Sequence, residues 1–492
     1  MAELGRKVVS PPVINGIVDP NSMSYRLIKS NYQYSVQSAI NIDFSKKKGI
    51  GVVRDGTSQV GNDIPNADES LGATIFYKAG NNQTIRIIAV REGSVSKVYY
   101  NSGSGWILSG ITAGPLSRYR FAVLDDILYV ADGGLMKQTS DGITYTNHTA
   151  VNSNCLNQNV DNVIQRRGRL IAYKGDTHYI SGVIGINGSI NWEALDAGNF
   201  QLAPFDGGRS TGYLQVGRYL FLSKTNGVYR LDADSASVDP DNLFGVGAIT
   251  AEALTYCQQK GYFFSGRHLY ELSQNGVSPI DDTIDHILSK ISQPANIFMG
   301  ANEFDIFIYI GQLVIDDFVY DNLVLKYNVV YNSYSFFNYD FAIKFFSQDP
   351  NTKELYAVGE NRMVKLLDQE ESTDIGKEIF YRMKWQDFVE GSYSADINIV
   401  SSINIYSKHA QGSHIIVYNQ NGQVQSQSEK VQLELDKNND ITIGEIGGGL
   451  EGKLFQIMWE GIRKLNTQNP EMIEMDMYIK VGERDKPNRE YK

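Results

Sequence analysis

The sequence predicts an all-β chain, a β-propeller of six or seven blades followed by a C-terminal antiparallel β-sandwich. Three observations predict it. Aromatic residues are abundant, with 30 Tyr and 21 Phe, and such side chains favour strands. Short apolar strand pairs joined by tight polar turns recur at intervals of about 45 residues, a period that suits a four-stranded unit repeated around an axis. Beyond residue 371 the strands lengthen and alternate apolar with polar residues, as half-buried strands of a two-sheet domain do.

The repeat is clearest between Arg169 and Asp232. Tyr219–Leu222 runs into Ser223–Gly227, and Val228–Leu231 runs out. The Asn226-Gly227 step marks a hairpin, because glycine accepts the positive φ of such a turn. Equivalent hairpins begin at Ile87, Ile127, Leu170, Leu220, Tyr262, Ile306 and Leu355. Each unit alone exposes both faces of a small sheet, and stacking units around an axis buries those faces. Seven hairpins give seven blades, or six if the first completes the last blade or belongs to the N-terminal segment. The WD and histidine signatures of the WD40 class are absent.

In chain order, residues 1–70 read as an N-terminal arm and first strands, including Ser38–Phe44 and Ile50–Arg54. Residues 71–371 read as the propeller, 372–483 as the sandwich and 484–492 as a charged tail. One interruption of the β pattern is helical. Ile284, Ile287, Leu288 and Ile291 share one face, and Asp281, Asp282 and Asp285 enrich the first turn, where the helix dipole favours anions. In the sandwich, Ile473–Val481 alternates with period 2, and Asn421-Gly422 marks a hairpin.

The net charge of −11 argues against a protein that grips phosphates, without excluding one past which nucleic acid slides. The two cysteines, Cys155 and Cys257, have neither metal nor disulfide spacing. No apolar run is long enough to cross a membrane as a helix, and the start lacks the apolar segment of a signal peptide.

The search for chemistry leads to architecture. Among the six histidines only His409 and His414 are close in sequence, and no metal or cofactor is expected. Gly447–Lys453 has the glycines and lysine of a phosphate loop, but Leu454 stands where a hydroxyl is needed. Four acidic residues between Asp232 and Asp241 lack calcium-loop spacing. Thr139–Tyr145 resembles the Asp-box of sialidase-type propellers, one residue short, and that box braces a turn. Nothing pairs two carboxylates for glycosidase chemistry, so no enzyme is expected. Aromatics such as Tyr331, Tyr334, Phe336, Phe337 and Tyr339 offer stacking for a glycan, with core packing as the competing role. Two basic clusters are candidate contacts to phosphate or to a neighbouring subunit: Lys46, Lys47 and Lys48, and Arg166, Arg167 and Arg169.

Several of these stretches resemble one group of viral proteins. They are Asn41-Ile42-Asp43, Lys48-Gly49 and Arg54-Asp55-Gly56, the run Arg166–Ala172, the Trp192 segment with Asp196-Ala197-Gly198, and the Tyr219–Leu231 hairpin. The group is the tail nozzle, hub and packaged-DNA stabilisation propellers of short-tailed bacteriophages, whose usual form at the third step is Arg-Pro-Gly; Asp55 departs from it. The resemblance implies a structural virion protein assembled in the host cytoplasm. Its expected partners are copies of itself in a ring, a hexamer, with portal, adaptor and other tail proteins. Packaged double-stranded DNA would pass through the channel without sequence-specific binding. A receptor- or glycan-binding propeller of a virion is the alternative, and a propeller glycosidase the third reading.

Overall fold

In the repeat strands, apolar side chains occupy odd and even positions alike, so both strand faces need covering. Ile87 and Ala89 of Gln83–Glu92 pack with Leu128 and Val130 on one side, while Ile88 and Val90 pack with Tyr356 and Val358 on the other. Tyr129 and Ala131 turn away from Leu128 to meet Leu170 and Ala172. Ile171 and Tyr173 then meet Leu220 and Leu222, and Phe221 meets Phe263. The alternation passes on through Tyr262 with Ile308, and Phe307 with Leu355. Every sheet is thus sandwiched between two others, and the last returns to the first.

The computed structural model describes residues 7–9, 17, 36–47, 50–148, 159–185, 188–231, 240–385, 398–410, 412–421, 424–427, 431–432, 442–444, 450–452 and 454–481. The propeller has seven blades of four antiparallel strands. The seven hairpin starts read from the sequence are the second strands of these blades. The innermost strands are Glu69–Lys78, Arg120–Leu124, Asn162–Arg166, Ser210–Val216, Leu254–Cys257, Phe298–Ala301 and Phe345–Gln348. Each lies beside the next, and the last lies beside the first, so the ring is closed. Six blades are contiguous in sequence. The seventh takes Phe345–Gln348, Leu355–Val358 and Met363–Asp368 from the C-terminal side and its outer strand, Gly56–Gln59, from the N-terminal side.

Two further sheets face each other beside blade six. One contains Ile42–Lys47, Ile50–Val53, Glu471–Val481 and Asn398–Lys408, with short strands at its margins. The other runs through Val36–Ile40, Ile379–Trp385, Leu454–Arg463 and His414–Asn421. A Cβ on Gly51 of the first sheet would lie 3.3 Å from the Met383 sulfur of the second, so their inner faces touch. The second sheet is continuous with blade six, because Ile40 bridges Phe336 in parallel. The first strands of the chain are therefore woven into the sandwich before the chain enters the propeller.

The helix expected over Asp281–Ile291 is a single turn, Asp285–Leu288. Ile284, Ile287 and Leu288 still bury into the core shared by blades five and six and the sandwich. Ile284 takes a non-helical backbone, φ −133° and ψ 11°, so the helix cannot begin before Asp285, and a separate 3-10 turn follows at Pro294–Asn296.

Candidate functional site

Charged and polar side chains concentrate in two places, the weld between propeller and sandwich and the propeller axis.

At the weld, Asn41 adopts a positive φ of 59°, which asparagine tolerates better than most residues. Its Oδ1 accepts from Arg54 Nε at 2.8 Å and from the Asn338 N–H at 2.8 Å, and its Nδ2 donates to the Phe380 carbonyl at 2.7 Å. Arg54 is wholly buried. It donates to both oxygens of Asp374, to the Asp55 and Asn338 carbonyls, and lies 4.3 Å from the centre of the Tyr339 ring. Burial opposes the guanidinium charge, but Asp374 more than offsets it and raises the Arg54 pKa. Asp43 is equally enclosed and meets Lys326 Nζ at 2.6 Å, while Ser45 donates to it from N and Oγ. Burial works against ionised Asp43, yet Lys326 and these donors hold its pKa below the usual carboxylate range. Gly56 follows because nothing larger fits: a Cβ there would lie 2.2 Å from the Thr373 carbonyl oxygen. Asp55 pairs with Lys46 at 2.6 Å and accepts from Asn469 at 2.7 Å. The motif Asn41-x-Asp43…Arg54-x-Gly56 is thus the bolt between the N-terminal strands, blade six and the segment after blade seven.

On the axis, Arg120 of blade two donates from Nη2 to Glu252 Oε1 of blade five at 2.6 Å. These blades are not neighbours, so the bond crosses the tunnel. Arg118 lies 3.7 Å from the same carboxylate and 3.8 Å from Glu69. It also donates to the Ser70 carbonyl at 3.0 Å and sits 5.2 Å from the centre of the Phe345 ring. These residues stand at or beside the starts of their inner strands, which places the cluster at one mouth of the tunnel. Burial disfavours ionised Glu252, but Arg120 and Arg118 together lower its pKa. Nothing in the local sequence flags this site. The one usable signal is the repeat register, which sets Arg120 and Glu252 at matching ends of their units.

The basic clusters do not converge. Lys46 pairs with Asp55, and Lys47 meets Glu471 at 2.5 Å; Lys48 lies outside the described residues. Arg166 is buried and donates to the Arg218 carbonyl. Arg167 is exposed at the turn tip with φ 46°. Arg169 is buried, bonding the Ser181 and Asp196 carbonyls and the Asp196 carboxylate. Of the aromatics offered for stacking, Tyr334, Phe336, Phe337 and Tyr339 are buried and Tyr331 is exposed. The Asp-box-like turn is a brace: Asp141 Oδ1 accepts from the Ile143 and Thr144 N–H groups at 2.8 Å each. Trp192 is buried, its indole N–H 3.2 Å from His148 Nε2. The stretches at Asp232–Asp239 and Gly447–Gly449 lie outside the described residues. Among the described residues no group of three or more His, Cys, Asp or Glu is placed to hold a metal ion, and no helix is long and apolar enough to cross a membrane.

No family model matches the chain, and no curated protein matches it. Among solved structures it is similar to virginiamycin B lyase from Staphylococcus aureus, with 11% identity and a TM-score of 0.42 over 63% of this chain and 99% of that one. It is also similar to the WD40 propeller domain of Doa1, with 10% identity and a TM-score of 0.36 over 64% of this chain and 98% of that one. The extracellular domain of the one-component system BT4673 from B. thetaiotaomicron has 11% identity and a TM-score of 0.46, over 90% of this chain and 62% of that one. The propeller itself is assigned from the strand pairing and the closed ring of blade contacts described above.

Proposed function

We propose that this chain is a structural component of a phage tail, a nozzle, hub or head–tail stabilisation subunit that assembles into a ring around a DNA exit channel. The observation that carries the reading is the weld. The residues through which the sequence resembles those tail propellers, Asn41, Asp43, Arg54 and Gly56, are used to lock propeller and sandwich together rather than to meet a ligand. A subunit that transmits load between neighbours needs its domains held as one body. In this reading the DNA conduit lies between subunits and not along a propeller axis, because Arg120 and Glu252 meet across that axis. The formal charge of −11 per chain then gives the ring a surface that repels DNA and lets it slide. No catalytic step belongs to this role.

The test is assembly. Light scattering after size exclusion, followed by electron microscopy with the portal and adaptor proteins, is expected to find a closed ring. A chain that stays monomeric at high concentration, is not recruited by those proteins, and binds a glycan on an array would sink the proposal in favour of a receptor-binding propeller.

A further inference from the structure

We infer that the arginine pair on the propeller axis is an oxyanion-binding site that the chain keeps filled with its own Glu252. Arg120 opens an inner strand and Arg118 lies two residues before it. Their guanidinium groups approach one carboxylate, Arg120 at 2.6 Å and Arg118 at 3.7 Å. The site is built before any ligand arrives. Arg118 is fixed by Phe345 and the Ser70 carbonyl. The Glu252 backbone is fixed by the Met299 N–H, 2.8 Å from its carbonyl. The Arg120 and Glu252 side chains are only 17% and 13% exposed, so water screens the pair weakly. Arg118 is more open, 39% exposed, and has Glu69 3.8 Å away as a second counter-charge; two guanidinium groups converging on one carboxylate still form a receptor for a carboxylate or a phosphate.

A tethered carboxylate competes at high effective concentration, so the native mouth takes no free oxyanion at ordinary concentrations. Vacating it should reveal the affinity. Glu252→Gln keeps the shape and removes the shared charge, leaving Arg120 without its carboxylate and Arg118 with Glu69, 3.8 Å away. This inference is independent of any role in a virion, since it concerns only residues of one propeller.

The experiment is thermal unfolding at low ionic strength, with inorganic phosphate as the probe and sodium chloride at matched ionic strength as the screening control. Glu252→Gln is expected to melt at least about 3 °C below the native protein. At hundredfold excess over its Kd, phosphate should raise the variant by about 2.5 °C and leave the native protein within about 1 °C. Adding Arg118→Gln and Arg120→Gln to Glu252→Gln should abolish the phosphate response. If Glu252→Gln does not fold, Glu252→Asp withdraws the carboxylate by one methylene and carries the same comparison. Equal phosphate shifts in native and variant proteins, or a variant that responds to phosphate no more than to chloride, would overturn the inference.

Discussion

Arg54 shows how one side chain can serve three parts of a fold. It lies on the chain between the N-terminal strands and blade seven, and its partners come from blade six and from the segment after blade seven. Removing one member of such a buried pair strands the other charge, which costs about 3–5 kcal/mol. Arg54→Met and Asp374→Asn are each expected to lower stability by that order in denaturant titration. The double variant should cost clearly less than the sum of the two; strict additivity would show that the two residues act independently. Gly56→Ala should cost about 1–3 kcal/mol by overpacking against Thr373, although a sequence-level view would class it as mild. Buried His178 and half-buried His148 set the pH response. Burial, with a smaller contribution from Lys224, pushes His178 down to about 3, and burial pushes His148 down to about 4. The unfolded chain takes up these protons near pH 6.5 while the folded chain refuses them, so stability is full above about pH 6.5 and is lost as pH falls toward 3. Asp43 and Glu252, whose pKa values are lowered, add a further loss below about pH 4. Buried Asp281, raised by burial, works in the opposite direction. A melting temperature that stayed level from pH 7 to pH 4 would contradict the histidine part of this account.

At the scale of the element, each blade strand buries two faces. Leu220 and Leu222 pack toward blade three, and Phe221 between them packs toward blade five. Leu220→Ala should therefore cost about 2–5 kcal/mol, while Phe205→Ala, on a loop where Phe205 is fully exposed, should leave the melting temperature within a degree. Comparable losses at both positions would mean that the blade interfaces do not carry the stability. The outer strand Gly56–Gln59 was hard to assign from the sequence. Its residues are small and polar, and its partner strand lies some 300 positions downstream. The hairpins were easy, because their apolar runs and tight polar turns are local. The helix over Asp281–Ile291 was legible as a buried apolar face and misjudged only in length.

On the scale of the whole molecule, propeller and sandwich share a hydrogen-bonded sheet and one hydrophobic cluster, which runs from Tyr262 of blade five through Ile308 of blade six to Trp459 of the sandwich. Heating in a calorimeter is expected to give one cooperative transition, with both parts unfolding together. Two resolved transitions would show that the sandwich folds as an independent domain and would weaken the idea of a rigid subunit.

By itself the sequence determined the β class, the seven hairpins and the change of strand character near residue 371, because period, turn residues and aromatic content are properties of neighbours along the chain. The resemblance to tail propellers also singled out Asn41, Asp43, Arg54 and Gly56 without saying what they were for. Only the tertiary structure decided that the blades number seven, that the N-terminal strands close both the last blade and the sandwich, and that Arg120 meets Glu252 across the axis. The physical reason is range. Hydrophobic periodicity acts over a few residues, whereas ring closure and buried ion pairs join residues more than a hundred positions apart, and their partners are chosen by geometry that no local pattern records.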